Sequence, residues 1–355
     1  MVSDGRSQQY ISDFRKKILR IILLFLFSVI LGILSLSISK FEMTSVELFD
    51  FLYKYAKGGW EEIPRYRKIH LVVFKINIPI AIAAIAAGAT LAACGAAMQS
   101  ILRNPLADPF TLGISSAAAL GAALYISMGI ALPWLQGNFA LMAMAFLFAM
   151  IPTVAIVSIS VSKKTTATMT ILIGVAMMYM FNAATSLVKV TADIEKLSEI
   201  FRWSVGTLNK VGWDGIPVML IVMVLSIVLL TVLSKDMNAL SLGDDGALSL
   251  GVNPSVARAK VIVTVSLCTA AIVCFTGTIG FVGLVAPHIA RIFVGSDNRI
   301  LVPCAGAVGS LMLIASDMLA RTIGPAGLPV GVVTALIGSP IFIVILIKQK
   351  RSAWN

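Results

Sequence analysis

Charged residues are scarce in this sequence. Asp, Glu, Lys and Arg make up 13% of its 355 residues while 58% are apolar, and the mean hydropathy is +0.95. A soluble domain carries about a quarter charged residues, so a water-facing surface around an ordinary core is excluded and lipid must solvate most of the chain. Apolar runs of about 20 residues, in place of short alternating segments, exclude a transmembrane barrel. Cysteine is also sparse. Cys94, Cys268, Cys274 and Cys304 all fall in apolar stretches without CxxC or metal-ligand spacing, and read as small buried hydrophobes.

Catalytic patterns are missing as well. No GxxxxGK[ST] is present, so the chain has no phosphate loop of its own, and HExxH, GxSxG and Cys/His clusters are absent. His70 and His288 are too far apart in sequence to suggest a metal site, and His288 reads as a polar residue packed between helices. An ion-coupled secondary transporter needs buried carboxylates near the midplane, and the apolar runs offer no convincing set. The composition therefore describes a passage without an engine: no enzyme, no cofactor, no resident metal.

What is present are long apolar segments cut by charge clusters and turn residues. They predict an all-α polytopic membrane protein with about ten spans, near 18–39, 72–99, 109–128, 138–161, 168–189, 215–234, 257–277, 279–295, 299–319 and 330–348. Arg15, Lys16, Lys17 and Arg20 lead into the first run, which lacks an AxA-like cleavage site and suits an uncleaved span. The net charge of +11 is read as loop orientation, with no nucleic-acid partner. Arg103, Lys163, Lys164 and Arg299 lie in short loops on the N-terminal side, which places both termini in the cytoplasm.

Two outer segments exceed simple turns. Residues 40–70 carry Trp60 and mixed charges suited to an amphipathic surface helix. Residues 190–214 contain IEKLSEIFRW, which places Ile194, Leu197, Ile200 and Phe201 on one helical face. Within the spans, the Ala-rich run 81–97 with Gly88 and Gly95, and the spacing of Gly277, Gly280 and Gly283, predict close helix packing through small residues.

One polar interruption, ALSLGDDGALSLGVNP at 239–254, repeats LSLG around two aspartates. Gly243 can break the chain, Asp244 and Asp245 suit a helix N-terminus, Ala247, Leu248 and Leu250 supply an apolar edge, and Gly251 suits a C-cap. A short helix with an apolar edge can enter a groove on a partner; a plain solvated loop is the alternative.

Four stretches in order resemble the FecCD family, the BtuC-like permease subunits of ABC importers for iron-siderophore, haem, cobalamin and related chelates. They are GATLAACGAAMQSILRNPLADPFTLGISSAAALGA, with Asn104 and Pro105; the LSLG segment; TGTIGFVGLVAPHIARIFVGSDNR, with Gly280, Gly283, Pro287, His288 and Arg291; and LPVGVVTALIGSPIFIVIL. The resemblance covers about residues 70–348. It implies a single permease domain over 1–355, formed as a homodimer in the cell membrane with two ABC ATPase subunits beneath it and an extracytoplasmic substrate-binding protein above. The charge-derived topology makes 1–17 a cytoplasmic N-terminal segment and places 235–258 in the cytoplasm as well; the resemblance makes that loop the one that couples ATPase motion to the spans.

The same resemblance sets Thr165, Thr166 and Thr168 at the pathway or its gate, with helix capping or back-bonding by threonine as the equal alternative. For docking of the binding protein it implies Arg321. The family's RxPR at the outer start of the second span reads NIPI here, with Asn77 and Ile80 in place of both arginines, and Gly327 stands where a glutamate is usual. Lys75, with Arg65, Arg67 and Lys68, is the candidate replacement.

Overall fold

The computed structural model describes residues 2–38, 41, 43–58, 60, 63–130, 136–163, 166–324 and 327–349. The helices are α1 (Val2–Ser35), α2 (Ser45–Lys57), α3 (Pro64–Val72), α4 (Ile78–Leu102), α5 (Ile114–Met128), α6 (Gly137–Lys163), α7 (Ala167–Thr191), α8 (Ile194–Ser204), α9 (Ile216–Val232), α10 (Ser234–Ser241), α11 (Asp244–Ser249), α12 (Pro254–Thr276), α13 (Val282–Val294), α14 (Asn298–Thr322) and α15 (Val330–Gln349). Among the described residues, six helices are long and apolar enough to cross a membrane by length and composition; α9 and α10, bent by 54°, pass the same test only together, and α5, α13 and much of α15 are shorter apolar helices. Each of the ten expected spans thus has a helical counterpart, and the chain is a multi-pass membrane protein. Large apolar side chains on α1, α7 and α9 (Leu23, Ile30, Leu172, Leu187, Ile221, Val232) are exposed, a surface suited to lipid.

The centre of the bundle is α4, whose residues are nearly all buried. It packs against α14, α13, α9 and α12. Apolar attraction between helices is weak in lipid, so the packing depends on close backbone approach. Gly88 faces the Gly309 carbonyl of α14, and Gly95 faces the Gly283 carbonyl of α13; a Cβ on either α4 glycine would overlap that oxygen. The small-residue reading therefore holds for α4. In the glycine triplet that follows α12 it holds for Gly277, where a Cβ would overlap the Trp203 carbonyl, and for Gly283 against α4, but not for Gly280, where a Cβ would meet nothing. Gly277 (φ +67°) and Phe281 (φ +68°) break the helix, so the three do not form one helical face.

At one end of the bundle, α2 and α3 form a hairpin with its own core of Met43, Leu48, Phe51, Tyr66, Ile69 and Val73. Residues 40–70 therefore hold two helices, and α3 runs on into α4 through a π turn, Val73–Asn77. Thr44 and Glu47 form a capping box at the start of α2, and the Arg65 Nε donates to Glu47 at 2.8 Å. That hydrogen bond leads the causes that hold the Glu47 carboxyl below its ordinary range. His70 belongs to an aromatic stack, with ring centroids 4.5 Å from Trp60 and 4.9 Å from Phe74.

The helix α8 is rotated from the expected orientation. Ile200 and Trp203 are buried, whereas Ile194, Leu197 and Phe201 are exposed. Ile200 joins a buried cluster with Ala117, Leu120, Phe181 and Val188, and on the same side Lys196 Nζ donates to the Ser127 carbonyl at 2.8 Å. Residues 196, 200 and 203 share a helix face, and the predicted apolar stripe lies partly outside it.

Gly95→Val is expected to lower the thermal stability of the detergent-solubilised protein by at least about 3 kcal/mol, the upper range for overpacking. Gly280→Ala is expected to leave the melting temperature unchanged, because its Cβ meets nothing within 4 Å. Equal destabilisation by the two substitutions would contradict the close-packing account.

Candidate functional site

The LSLG segment folds as a short helix between two glycine turns. Gly243, at φ 99° and ψ 169°, occupies backbone space that favours glycine and ends α10. Asp244 and Asp245 then fill the first turn of α11, where the helix dipole favours acid groups. The far end closes as the Gly251 N–H reaches the Leu248 carbonyl at 2.9 Å and the Val252 N–H reaches Ala247 at 2.9 Å. Asn253 Oδ1 accepts from Ser255 N at 3.1 Å and Val256 N at 3.3 Å, capping α12 at once.

Within this compact turn Ala247 is fully buried and anchors the helix, while Leu248 and Leu250 are 58% and 62% exposed. Leu242 is also exposed, at 66%, and extends the apolar rim. Sequence reading passed over Leu242, although it stands in the first LSLG where Leu250 stands in the second. The repeat is not symmetric in space: Leu240 is buried, and its counterpart Leu248 is not. Beneath the rim, Asp244 Oδ1 accepts from Arg258 Nη2 at 2.7 Å. The Arg258 side chain is 1% exposed, so a cation near the start of α12 is withdrawn from solvent and paired beneath the rim.

The surrounding end of the bundle is braced by the motif residues. His288 Nε2 lies 2.9 Å from the Pro105 carbonyl; that oxygen only accepts, so this nitrogen carries the proton. Asn104 Oδ1 accepts from Leu106 N at 2.9 Å and shapes the same loop. Arg291 Nη1 donates to Gln99 Oε1, and Gln99 Nε2 donates to the Leu284 carbonyl at 3.0 Å. Pro287 is buried inside α13, and Gly283 meets α4 as described; Gly280 lies apart from this brace. Asn238 of α10 donates to Asp297 at 2.8 Å and accepts from Asn298 N at 3.0 Å. Partial burial pushes the Asp297 carboxyl up, but hydrogen bonds from Asn238 and Arg299 and the nearby Arg299 charge outweigh it, and the net direction is down.

At the start of α7, the Thr166 hydroxyl accepts from Met169 N at 3.3 Å, and Thr170 donates back to the Thr166 carbonyl at 3.1 Å. These are the bonds of the capping and back-bonding alternative. Thr168 is exposed, and Thr165 lies outside the described residues.

At the opposite end Arg321 is engaged within its own chain. It pairs with Asp317, one turn back, and its Nη1 reaches the Ile38 carbonyl at 3.3 Å and Asn77 Oδ1 at 3.4 Å. Asn77, which replaces an expected arginine, donates to the Leu36 carbonyl at 2.8 Å. A cavity of about 290 Å³ opens beside this cluster, with Phe41, Thr207, Asn209 and Leu328 also in its wall. Lys75 is exposed in the π turn, away from the ion pair.

The side chains of Asp317 and Arg321 are 4% and 10% exposed. Removing one partner leaves a buried charge, at a cost on the order of 3–5 kcal/mol. Arg321→Ala is therefore expected to lower the melting temperature sharply, and Asp317→Asn combined with Arg321→Gln to recover most of the loss. Additive losses in the double variant would contradict the pairing.

The sequence model of the FecCD transport family matches residues 24–348. The haemin transport system permease protein HmuU of Yersinia pestis is 35% identical, with 78% of this chain and 83% of that protein covered. The molybdate import system permease protein MolB of Haemophilus influenzae is 33% identical over 92% of this chain and 95% of its own. A solved structure of an ABC transporter assigned to the metal-chelate type, in an inward-facing conformation, superposes with a TM-score of 0.80 at 30% identity, covering 92% of this chain and 98% of that one. By sequence along most of its length and by fold, this chain belongs to the FecCD transport family of ABC-importer permeases.

Proposed function

We propose that this permease carries a metal chelate, an iron siderophore, haem or a corrinoid, into the cytoplasm by alternating access. Two copies of the chain form the pathway, two ABC ATPase subunits bind the α11 end, and a substrate-binding protein delivers cargo at the opposite end. The α11 end is then cytoplasmic, in keeping with the basic residues Arg15, Lys16, Lys17 and Arg20 near it. Of the relatives above, one is named for haemin and another for molybdate, so the cargo class rests on the family's range and not on a side chain of this protein.

The observation that carries the reading is the rim of α11. Leu242, Leu248 and Leu250 expose apolar surface at a polar end of the bundle, on a helix held by buried Ala247. Exposed leucines on so short and well-fixed a helix fit an apolar groove on a partner. A chain without a phosphate loop needs such a contact to draw on ATP. Docking at the opposite end involves the exposed lysines Lys68 and Lys75 more than Arg321, which is engaged by Asp317 and Asn77. A self-sufficient ion-coupled transporter is the weaker alternative, since Asp317, the buried carboxylate of α14, is paired and therefore poorly suited to carrying an ion.

Leu248→Asp is expected to abolish copurification of the partner ATPase and reduce ATP-driven uptake at least about ten-fold, as for loss of an apolar hot spot. Ile194→Asp, an exposed change at the opposite end, is expected to leave ATPase association intact. Uptake by liposomes containing this chain alone, driven by an ion gradient, would overturn the proposal.

A further inference from the structure

The chain connections on both sides of α11 pass through glycine. Gly243 (φ +99°) joins it to α10, and Gly251 (φ +76°) lies on the way to α12. Backbone hinges of this kind transmit displacement poorly, because their torsions absorb it. Beyond the backbone bonds of the two turns, the burial of Ala247 and the ion pair from Asp244 to Arg258 at 2.7 Å tie α11 to the bundle, and the ion pair is the side-chain link that reaches α12. The two aspartates of the segment are not equivalent, since Asp244 engages this buried guanidinium while Asp245 is exposed.

Arg258 stands in the second turn of α12, with its side chain 1% exposed. A buried guanidinium is held rigidly, since any movement away from its partners leaves a desolvated charge. The rest of α12 is buried along most of its length and packs against α4, α5, α6 and α9. A push on Asp244 therefore meets a stiff element that reaches the centre of the bundle.

We propose that Arg258 is a positioning residue: its ion pair with Asp244 is the strut that delivers movement of α11 to α12. This inference rests on α11 being the ATPase contact. It assigns the two ends of α11 different tasks, with Leu248 and Leu250 gripping the partner and Asp244 passing the load inward.

The test uses the assembled transporter in nanodiscs, measuring ATPase association, substrate moved per ATP hydrolysed, and hydrogen exchange across 244–262 with and without ATP. Asp244→Asn keeps an oxygen acceptor for the buried Arg258 guanidinium while removing the carboxylate charge, and the melting temperature of each variant is measured alongside, so that coupling is compared between folded proteins. Asp244→Asn is expected to keep the ATPase bound but lower the transport-to-hydrolysis ratio at least about five-fold, the low end of typical coupling between sites. Its ATP-dependent change in exchange should be confined to 244–251, where the wild-type change extends into 254–262. Asp244→Glu should restore most of the ratio. An unchanged ratio in Asp244→Asn overturns the strut, and so does loss of the ATPase, which would make Asp244 a partner contact. Leu248→Asp distinguishes the underlying reading: if that variant retains the ATPase and full uptake, α11 is not the contact and the strut falls with it.

Discussion

The close approach of backbones around α4 is the constraint on which the remaining structure depends. In lipid an apolar side chain gains little by moving from tail to protein, so helices are held by fit. The glycines of α4 bring α13 and α14 within a distance that any side chain would forbid. With those contacts made, the motif loops fall into place at one end: His288 meets Pro105, Arg291 meets Gln99, and Asn238 binds Asp297 and Asn298. These polar braces are short, mutual and mostly local to helix ends, where the backbone has few other partners. They turn a stack of helices into a platform on which α11 is presented.

The two ends of the bundle handle charge differently. At the α11 end a buried arginine reaches out to a partly exposed aspartate, so the pair lies between the interior and the surface. At the opposite end Asp317 and Arg321 are both withdrawn, and Asn77 joins them where a cation would have pointed outward. A charge pair that closes on itself adds little attraction for a protein arriving from outside. The hairpin at this end, carried on a separate small core, also presents basic side chains at its surface.

Much of the fold was legible in the sequence because its determinants are local. Twenty-residue apolar runs, the Ala and Gly content of α4, and the Gly–Asp–Asp start of α11 each state a preference that needs no distant partner. What escaped was set by tertiary contacts. The orientation of α8 follows from where α5 and α7 offer a surface for Ile200, with Lys196 reaching a carbonyl of α5 beside it, which hydropathy cannot foresee. The burial of Arg258 depends on α11 packing beside it, and Arg321 looked available until Asp317 and Asn77 closed on it. Leu242 could have been found from the LSLG repeat alone; its exposure, and the burial of Leu240, depend on where α10 ends.

The central claim is that α11 is the surface through which a partner's ATP hydrolysis reaches this membrane chain. Site-specific photo-cross-linking tests it most directly, with a photoreactive side chain at position 248 in the assembled complex and a second complex carrying it at position 194. The account predicts that the probe at 248 captures the ATPase subunit, with a yield that changes when ATP is added, and that the probe at 194 does not. Absence of ATPase capture at 248, or equal capture at both positions, would contradict it.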